Sequence, residues 1–316
     1  MTQTSYSLVR VERTDTVATI SIHRPEQLNG VNPAVLHQLQ QAFEEVIAEP
    51  GIHGIIFGGE GKAFVVGADL GFFLRNIRSG NLARIVRFTE AGHRLMNTID
   101  ACPKPVIACV RGVALGAGVE FALACDRIVA SPRASFGLPE TGLGIYPGFG
   151  GTQRTPRRIG VGLAKWLIFT GKTLSATEAR RAGLVDQIVS DELLESTARS
   201  AALNNIASDQ TECESPDLIA LERFFASHRA DELRAGTADT GNDRALARAM
   251  KPVAAKGPIA LRLAERLIED GSRQTLAQGL QMEIDRVVEI FSTEDARRGL
   301  SFRANRQVGH PDFVGR

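Results

Sequence analysis

Residues 106–130 read VIACVRGVALGAGVEFALACDRIVA, and this stretch decides the class of fold. Val106–Val110 is a short apolar run of strand length, and Arg127–Ala130 has the same character. Between them, the glycine-rich residues 112–118 lead into a helical stretch, Val119–Ala124. A strand, a helix and a further strand in this order predict an α/β fold.

The same alternation continues over about residues 1–190. Leu8–Glu12 and Val17–Ile22 alternate apolar and polar side chains, which predicts a β-hairpin. Leu82–Asp100 has the spacing of a long helix. The sequence therefore predicts an α/β domain over residues 1–190.

The remainder, residues 191–316, has a helical pattern. Pro258–Glu269 and Thr275–Phe291 are strongly amphipathic at helical spacing. Ser292 stands three residues before Asp295, a spacing typical of the start of a further helix. We therefore predict a second, helical region over 191–316.

Composition and charge narrow the classes of function. The chain has 316 residues, of which 43% are hydrophobic and 23% charged, as in ordinary soluble proteins. Lys and Arg number 37 against 36 Asp and Glu, so no global basic stripe points to nucleic acid. The N-terminus shows no secretory signal, and Arg111 and Glu120 interrupt the most apolar stretch. These features predict a cytoplasmic protein that binds neither nucleic acid nor membrane.

Cofactor motifs are incomplete in this sequence. Gly171-Lys-Thr ends like a phosphate loop, but Trp166 stands where that loop needs a glycine. Gly116-Ala-Gly118 follows a strand, yet the third glycine of a dinucleotide site would fall at Phe121. The four cysteines (Cys102, Cys109, Cys125 and Cys213) lack zinc spacing, and the histidines show no local pairing. We expect reduced thiols, no metal and no cofactor.

Two glycine-rich loops each carry one acid. In the first, Gly112, Gly116 and Gly118 precede Glu120 in the first turn of the predicted helix. Such a turn exposes backbone N–H groups beside the positive end of a helix, which suits a developing oxyanion. In the second, Glu140 precedes the glycines of residues 142–151. Taken alone, each loop is better explained as a close-packed turn with a nearby acid.

A set of motifs in fixed order is more informative about the family than either loop alone. The motifs are His23-Arg-Pro-Glu-Gln-Leu-Asn29, Lys62-Ala-Phe64, Gly67-Ala-Asp-Leu70, Gly112-Val-Ala-Leu-Gly-Ala-Gly118, Ala124-Cys-Asp126, Phe136-Gly-Leu-Pro-Glu140, Pro147-Gly-Phe-Gly-Gly-Thr-Gln-Arg154 and Gly183-Leu-Val-Asp186. In order and spacing they resemble the crotonase (enoyl-CoA hydratase/isomerase) superfamily, closest to the hydratases. Residues 257–305 also resemble the C-terminal helices of that superfamily.

The resemblance implies a crotonase-like spiral of ββα units that binds a CoA thioester, with a helical C-terminal region that builds homotrimers, often paired into hexamers. Matched motif by motif, the backbone N–H groups of Ala68 and Ala117 would form an oxyanion hole. Ala68, Asp69, Leu70, Gly71 and Gly116 would line the substrate site. CoA would enter only as part of the acyl-CoA substrate.

The two acids decide among the activities of the superfamily. Hydratases resemble this chain in having both, and hydration of a 2-enoyl-CoA needs a base for water and an acid for C2. We assign Glu120 to activate water and Glu140 to protonate C2, with roles shared if the pair titrates together. The predicted activity is that of a hydro-lyase giving a 3-hydroxyacyl-CoA, as in fatty acid metabolism, although the sequence identifies neither the acyl group nor the pathway.

The chain departs from the usual hydratase pattern at three places. Ala117 replaces a common glycine, and Val65-Val66 is bulkier than usual, which suggests an altered acyl specificity. The segment near residues 205–255 is longer than in a typical hydratase. The sequence leaves open whether this insertion is a lid, a contact between subunits or inert.

Three rival functions stay open. Isomerisation of a 3-enoyl-CoA needs only a proton shuttle, for which Glu140 alone would suffice. Hydroxyisobutyryl-CoA hydrolases of the same superfamily carry an insertion near 205–255, but they usually place an aspartate at the position of Gly148 and lack the acid at Glu120, so hydrolysis ranks well below hydration. A non-catalytic scaffold or nucleic-acid-binding protein on the same fold ranks lowest, because it would not be expected to retain both acids.

Overall fold

The structure is a computed structural model that describes residues 2–204 and 215–316. Residues 205–214 of the longer segment near 205–255, and Cys213 with them, lie outside the described residues. The strands are β1 Thr2–Ser5, β2 Val9–Thr14, β3 Val17–Ile22, β4 Gly54–Gly59, β5 Ala63–Val66, β6 Val106–Val110, β7 Val113–Leu115, β8 Arg127–Ala130, β9 Ser135–Gly137, β10 Thr173–Ser175 and β11 Gln187–Ile188.

Helices follow most of the strands and fill the C-terminal part of the chain. They are α1 Pro33–Ala48, α2 Leu70–Arg78, α3 Leu82–Asp100, α4 Ala117–Ala124, α5 Gly151–Ile159, α6 Val161–Thr170, α7 Ala176–Arg181, α8 Leu194–Asn204, α9 Pro216–Ser227, α10 Ala230–Ala235, α11 Arg244–Met250, α12 Pro258–Gly271, α13 Leu276–Asp285, α14 Val287–Phe291 and α15 Glu294–Ala304. Short 3-10 helices cover Pro25–Gln27, Glu140–Leu143 and Lys251–Ala255. The predicted α/β class is confirmed.

The strands form two sheets. The larger has the order β1-β2-β3-β4-β6-β8-β11, in which the hairpin pairs are antiparallel and the pairs from β3 onward are parallel. The smaller has the order β10-β9-β7-β5, with β5 and β7 parallel. Because parallel strands need crossover connections, helices return the chain between them.

The described residues divide into two compact units that interleave along the sequence. Unit 1 is Met1–Ala68, Ala91–Phe136 and Leu174–Glu212, and unit 2 is Asp69–Glu90, Gly137–Thr173 and Cys213–Arg316. The predicted boundary near residue 190 lies inside unit 1. The assignment of substrate binding to residues 1–190 stays a prediction.

Unit 1 has its core on both faces of β4. On one face, Ile56 is buried with Leu194 and Ala198 of α8. On the other, the ring of Phe57 lies 5.8 Å from that of Phe43 on α1 and 5.3 Å from that of Phe121 on α4. Consecutive strand residues point to opposite faces, so this parallel strand is apolar throughout.

Unit 2 is mainly helical, and α6 lies at its centre. Every residue of α6 after Val161 is buried. Gly162 meets α9 so closely that a Cβ there would lie 1.9 Å from Glu222 O. The carboxylate of Glu222 accepts hydrogen bonds from Gly162 N (3.0 Å) and Leu163 N, which satisfies the N-terminus of α6.

The sequence-based expectations were wrong in two details of the C-terminal helices. The single helix expected over Thr275–Phe291 is broken at Arg286, because Tyr146 Oη donates to Glu283 O, the carbonyl that a continuous helix would pair with Val287 N. The residue that caps α15 is Thr293 rather than Ser292, since Thr293 Oγ1 accepts from Ala296 N and Ser292 ends α14.

Candidate active site

In unit 1, Ala68 and Ala117 leave the smaller sheet at the same edge. Parallel strands β5 and β7 pair with Val66 opposite Leu115, and Gly67 N donates to Leu115 O at 2.8 Å. Ala68 and Ala117 each follow their strand by two residues. Because neighbouring strands lie about 4.8 Å apart, the backbones of these two residues are adjacent.

The approach of α4 to β5 depends on a glycine. A Cβ at Gly118 would lie only 2.1 Å from Val65 O, so a side chain there would force the helix away from the strand. Gly116, the N-cap of α4, has a φ of 55°, which favours glycine as well. The glycines of this motif therefore bring the first turn of α4 to the end of β5.

The N–H groups of Ala68 and Ala117 are available as donors. Ala117 is the first residue of α4, where a helix leaves its N–H groups without an internal partner. Within residues 2–204 and 215–316, neither N–H group donates a hydrogen bond to a backbone carbonyl. A backbone donor that has no internal partner at a helix N-terminus favours nearby negative charge.

Glu120 lies one turn into the same helix. Glu120 is almost fully buried, at 2% exposure, and its neighbours in sequence, Val119 and Phe121, are fully buried. A carboxylate in the first helical turn interacts favourably with the helix dipole. Ala68, Gly116, Ala117 and Glu120 therefore all belong to unit 1, at the end of β5 and the start of α4, and their roles stay predictions.

The other predicted site residues belong to unit 2. Asp69 caps α2, its Oδ1 accepting from Phe72 N at 3.0 Å, and Leu70 and Gly71 are the first residues of that helix. Glu140 begins the 3-10 turn Glu140–Leu143 and is 8% exposed. Each candidate therefore lies at the start of a helical element.

The glycine loop after Glu140 is held by a residue that the sequence reasoning missed. Glu283, on α13, is fully buried and accepts hydrogen bonds from Gly150 N (2.7 Å), Thr152 N (3.0 Å) and Thr152 Oγ1 (2.5 Å). Its position three residues after Leu280 and four before Val287 is on the apolar face of the helical pattern. An acid on an apolar face is the signal that would have identified it.

Other kinds of site are not apparent in the described parts of the chain. There, no group of three or more His, Cys, Asp or Glu side chains has the arrangement to hold a metal ion. Cys102, Cys109 and Cys125 are free thiols, and burial raises the pKa of Cys109 to about 11. Among the helices of residues 2–204 and 215–316, none combines the length and apolar character of a membrane span.

Comparison with known proteins decides the family. The family model for enoyl-CoA hydratase/isomerase matches residues 12–213. The chain belongs to the enoyl-CoA hydratase/isomerase family. The matched residues include both glycine-rich loops and both acids, so the resemblance read from the motifs is confirmed.

Relatives of the family extend the match beyond those residues. A crotonyl-CoA hydratase of Syntrophomonas wolfei is 32% identical over 298 residues, which cover 94% of this chain and 95% of the relative. A short-chain-enoyl-CoA hydratase of Clostridium acetobutylicum is 41% identical over 202 residues, or 64% of this chain and 76% of the relative. A crystal structure of an enoyl-CoA hydratase from Bacillus anthracis covers 98% of this chain and 100% of its own, with 33% identity and a TM-score of 0.58. This chain therefore has the crotonase fold.

Proposed function

We propose that this chain is an enoyl-CoA hydratase, a hydro-lyase that adds water reversibly to a 2-enoyl-CoA and gives a 3-hydroxyacyl-CoA. The observation that carries the proposal is the pair of adjacent N–H donors at Ala68 and Ala117, with the buried Glu120 in the same helical turn. Family membership and the names of relatives such as the crotonyl-CoA hydratase support it.

The two donors would form the oxyanion hole. Attack of water at C3 moves electrons towards the thioester carbonyl, so negative charge develops on its oxygen as an enolate. Donors that are fixed in advance stabilise that charge more than they stabilise the neutral substrate. Asp69, Leu70, Gly71 and Gly116 are the further residues that, by the motif resemblance, would line the substrate.

Glu120 and Glu140 would act as base and acid. Glu120 accepts a proton from water as the water oxygen bonds to C3, and protonated Glu140 gives its proton to C2. The enolate electrons then form the C2–H bond, and the sum of these transfers is one water added. The reverse order of transfers dehydrates a 3-hydroxyacyl-CoA with the same groups.

The proposal includes several finer statements. CoA takes part only as a portion of the substrate, and no metal or other cofactor is needed. The chain assembles into homotrimers, or dimers of trimers, through its C-terminal helices, and works in the cytoplasm. The resemblance to the superfamily supports the assembly, and the free thiols at Cys102, Cys109 and Cys125 suit a reducing compartment.

The first experiment follows the ultraviolet absorbance of crotonyl-CoA after the purified protein is added, with free thiol measured in parallel. Loss of the enone band without thiol release is expected. Thiol release from a hydroxyacyl-CoA, without loss of the band from any enoyl-CoA, would move the chain to hydrolysis. Conversion of a 3-enoyl-CoA alone would indicate isomerisation. No reaction with any CoA ester would favour the interpretation of the chain as a non-catalytic scaffold.

Variants of the two acids test the mechanism. Glu120→Gln and Glu140→Gln should each lower kcat by roughly 10²–10⁴-fold, because each loses a proton transfer while binding of the CoA ester persists. Glu195→Gln, at another first helical turn in unit 1, is the matched control and should keep wild-type kcat. Wild-type turnover in both acid variants would contradict the two-carboxylate mechanism.

A further inference from the structure

The turn that carries Glu140 is fixed through the next residue. Thr141 is fully buried, and its Oγ1 donates to Ile168 O in the last turn of α6 at 2.7 Å. The carbonyl of Thr141 accepts from Gly257 N at 2.9 Å. Thr141 is thus bound at its side chain and at its backbone by two different elements of unit 2.

Close backbone packing leaves this turn little freedom. A Cβ at Gly257 would lie 3.0 Å from the Cα of Gly144, and one at Gly299 on α15 would lie 2.3 Å from Leu143 O. The distance at Gly299 is too short for any side chain, and the distance at Gly257 is tighter than most Cβ contacts. The Glu140–Leu143 turn therefore takes its position from the backbone of residue 257 on one side and from α15 on the other.

The segment that supplies Gly257 is tied to α10. Arg234, in the last turn of α10, donates from Nε to the carbonyl of Lys256 at 3.1 Å. The ammonium of Lys256 lies beside Gly142 and Gly171, within 3.1–3.4 Å of where their Cβ atoms would be. Burial lowers the pKa of Lys256. Arg234 thus fixes the residue that directly precedes the donor to Thr141.

The helices from which Arg234 comes are anchored by buried polar contacts. Lys165 on α6 is 1% exposed and pairs with Glu269 at 2.5 Å and with Glu265 at 3.7 Å. Glu265 also accepts from Ala230 N, at the start of α10, at 2.8 Å. Together with the Glu222 bonds to α6, these contacts hold α9 and α10 on the body of unit 2. A segment held in this way is not built to swing as a lid.

We propose that the described part of the insertion, Pro216–Ala255, is a brace that positions Glu140 through Arg234, the Lys256–Gly257 backbone and Thr141. The inference rests on the proposed role of Glu140 in hydration. For the described part of the insertion, the contacts favour a role in supporting the turn that carries Glu140 over a role as a lid. Arg234 and Thr141 are positioning residues, because neither acts on the substrate itself.

The first test compares Arg234→Ala with Arg234→Lys in crotonyl-CoA hydration. Loss of the bond to Lys256 O should lower kcat by roughly tenfold and change KM less than twofold, because misplacement of a reacting group slows chemistry more than it weakens binding. Arg234→Lys, which can still donate to that carbonyl, should recover part of kcat. Arg199→Ala removes a comparable bond to a backbone carbonyl, Thr14 O, in unit 1 and should keep wild-type kcat.

Thr141 provides a matched pair within the same brace. Thr141→Val keeps the shape but loses the bond to Ile168 O, whereas Thr141→Ser keeps the hydroxyl. The valine variant should show the same fall in kcat at nearly constant KM, and the serine variant should stay close to wild type. Wild-type kcat in Thr141→Val, in Thr141→Ser and in Arg234→Ala would overturn the positioning role.

A second readout separates this inference from the proposed function. Hydrogen exchange at the amides of Gly142, Gly144 and Ile145, which close the turn by backbone bonds, should be faster in Arg234→Ala than in wild type. Unchanged exchange overturns the brace whatever the activity. If wild type hydrates no enoyl-CoA, the proposed function fails, and the exchange measurement alone then decides whether the turn is braced.

Discussion

The two glycine-rich loops of this chain both lead into helices, but they differ in whether the N–H groups at the helix N-terminus have a hydrogen-bond acceptor. At α4 in unit 1, the N–H of Ala117 has no acceptor within the described residues. At α5 in unit 2, the carboxylate of Glu283 accepts from Gly150 N and Thr152 N. A helix N-terminus favours negative charge, and in α5 the chain supplies that charge itself.

The difference shows what makes a glycine loop a site. Both loops have backbone donors and a positive helix end, so sequence motifs of this kind do not separate them. A loop whose donors are already satisfied contributes structure, whereas one whose donors remain available can bind an oxyanion. Occupancy by a buried side chain is therefore the deciding property, and it depends on a residue more than 130 positions away in sequence.

Among the variants that test this comparison of the two loops, the largest effect is expected from removing the N–H donor at the start of α4. Ala117→Pro deletes the N–H at the first helical position, where proline otherwise fits a helix. If that N–H stabilises the enolate, kcat for crotonyl-CoA hydration should fall roughly 10²–10³-fold, about 3–4 kcal/mol. Steady-state kinetics measure the loss, and thermal unfolding checks that the variant is folded.

Ala117→Gly is the control for that experiment. It keeps the N–H and removes only a methyl group, so hydration should stay within a few-fold of wild type. A folded Ala117→Pro protein with wild-type kcat would show that α4 holds no oxyanion donor. The availability of backbone donors would then not explain which of the two loops takes part in catalysis.

Sequence reasoning reached the elements whose pattern is local. Val106–Val110 and Leu82–Asp100 have the predicted bounds, because apolar periodicity over one element determines its face and length. The glycine turn between a strand and a helix was also visible locally, but the assignment of Ala117 came from the motif resemblance, and its role stays a prediction. Glu283 was missed because its partners are distant in sequence, and an acid on a helix is usually exposed.

The break at Arg286 is a second feature that sequence reasoning could not predict, because its cause is a contact distant in sequence. The amphipathic pattern of Thr275–Phe291 continues through it, so the sequence predicts one helix. The interruption comes from the hydroxyl of Tyr146, which takes the carbonyl of Glu283. Burial raises the pKa of Tyr146 well above its ordinary value. Tertiary hydrogen bonds of this kind leave no periodic signal.

The next prediction concerns the loop before α5, whose N–H donors are bonded to Glu283. Glu283→Gln removes the charge and points an amide towards N–H donors that need an acceptor, so the free energy of unfolding should fall by about 2–3 kcal/mol. Glu289→Gln, with a side chain 45% exposed, should change it by less than about 0.5 kcal/mol. Chemical denaturation of both variants measures the difference, and equal stability would contradict the role of Glu283 as the acceptor of α5.

The smallest effect comes from a carboxylate that is bonded as well as Glu283 but lies near water. Glu49 pairs with Arg13 through both oxygens, at 2.6–3.0 Å, and its side chain is 35% exposed. The Arg13 guanidinium lowers the pKa of Glu49. Because solvent screens the pair, Glu49→Gln should cost only about 0.5–1 kcal/mol of unfolding free energy at pH 7.

The pH dependence of that cost identifies its origin. A carboxyl whose pKa is lower in the folded than in the unfolded state adds stability above the ordinary glutamate pKa of about 4.3. That stability is lost as the pH falls through the folded-state value, so the curves of wild type and Glu49→Gln should converge in acid. A gap that stays constant from pH 7 to about pH 3 would mean that packing, not charge, holds Glu49. If the gap closes and remains several-fold smaller than that of Glu283→Gln, then burial, rather than the number of hydrogen bonds, sets what a carboxylate contributes to this fold.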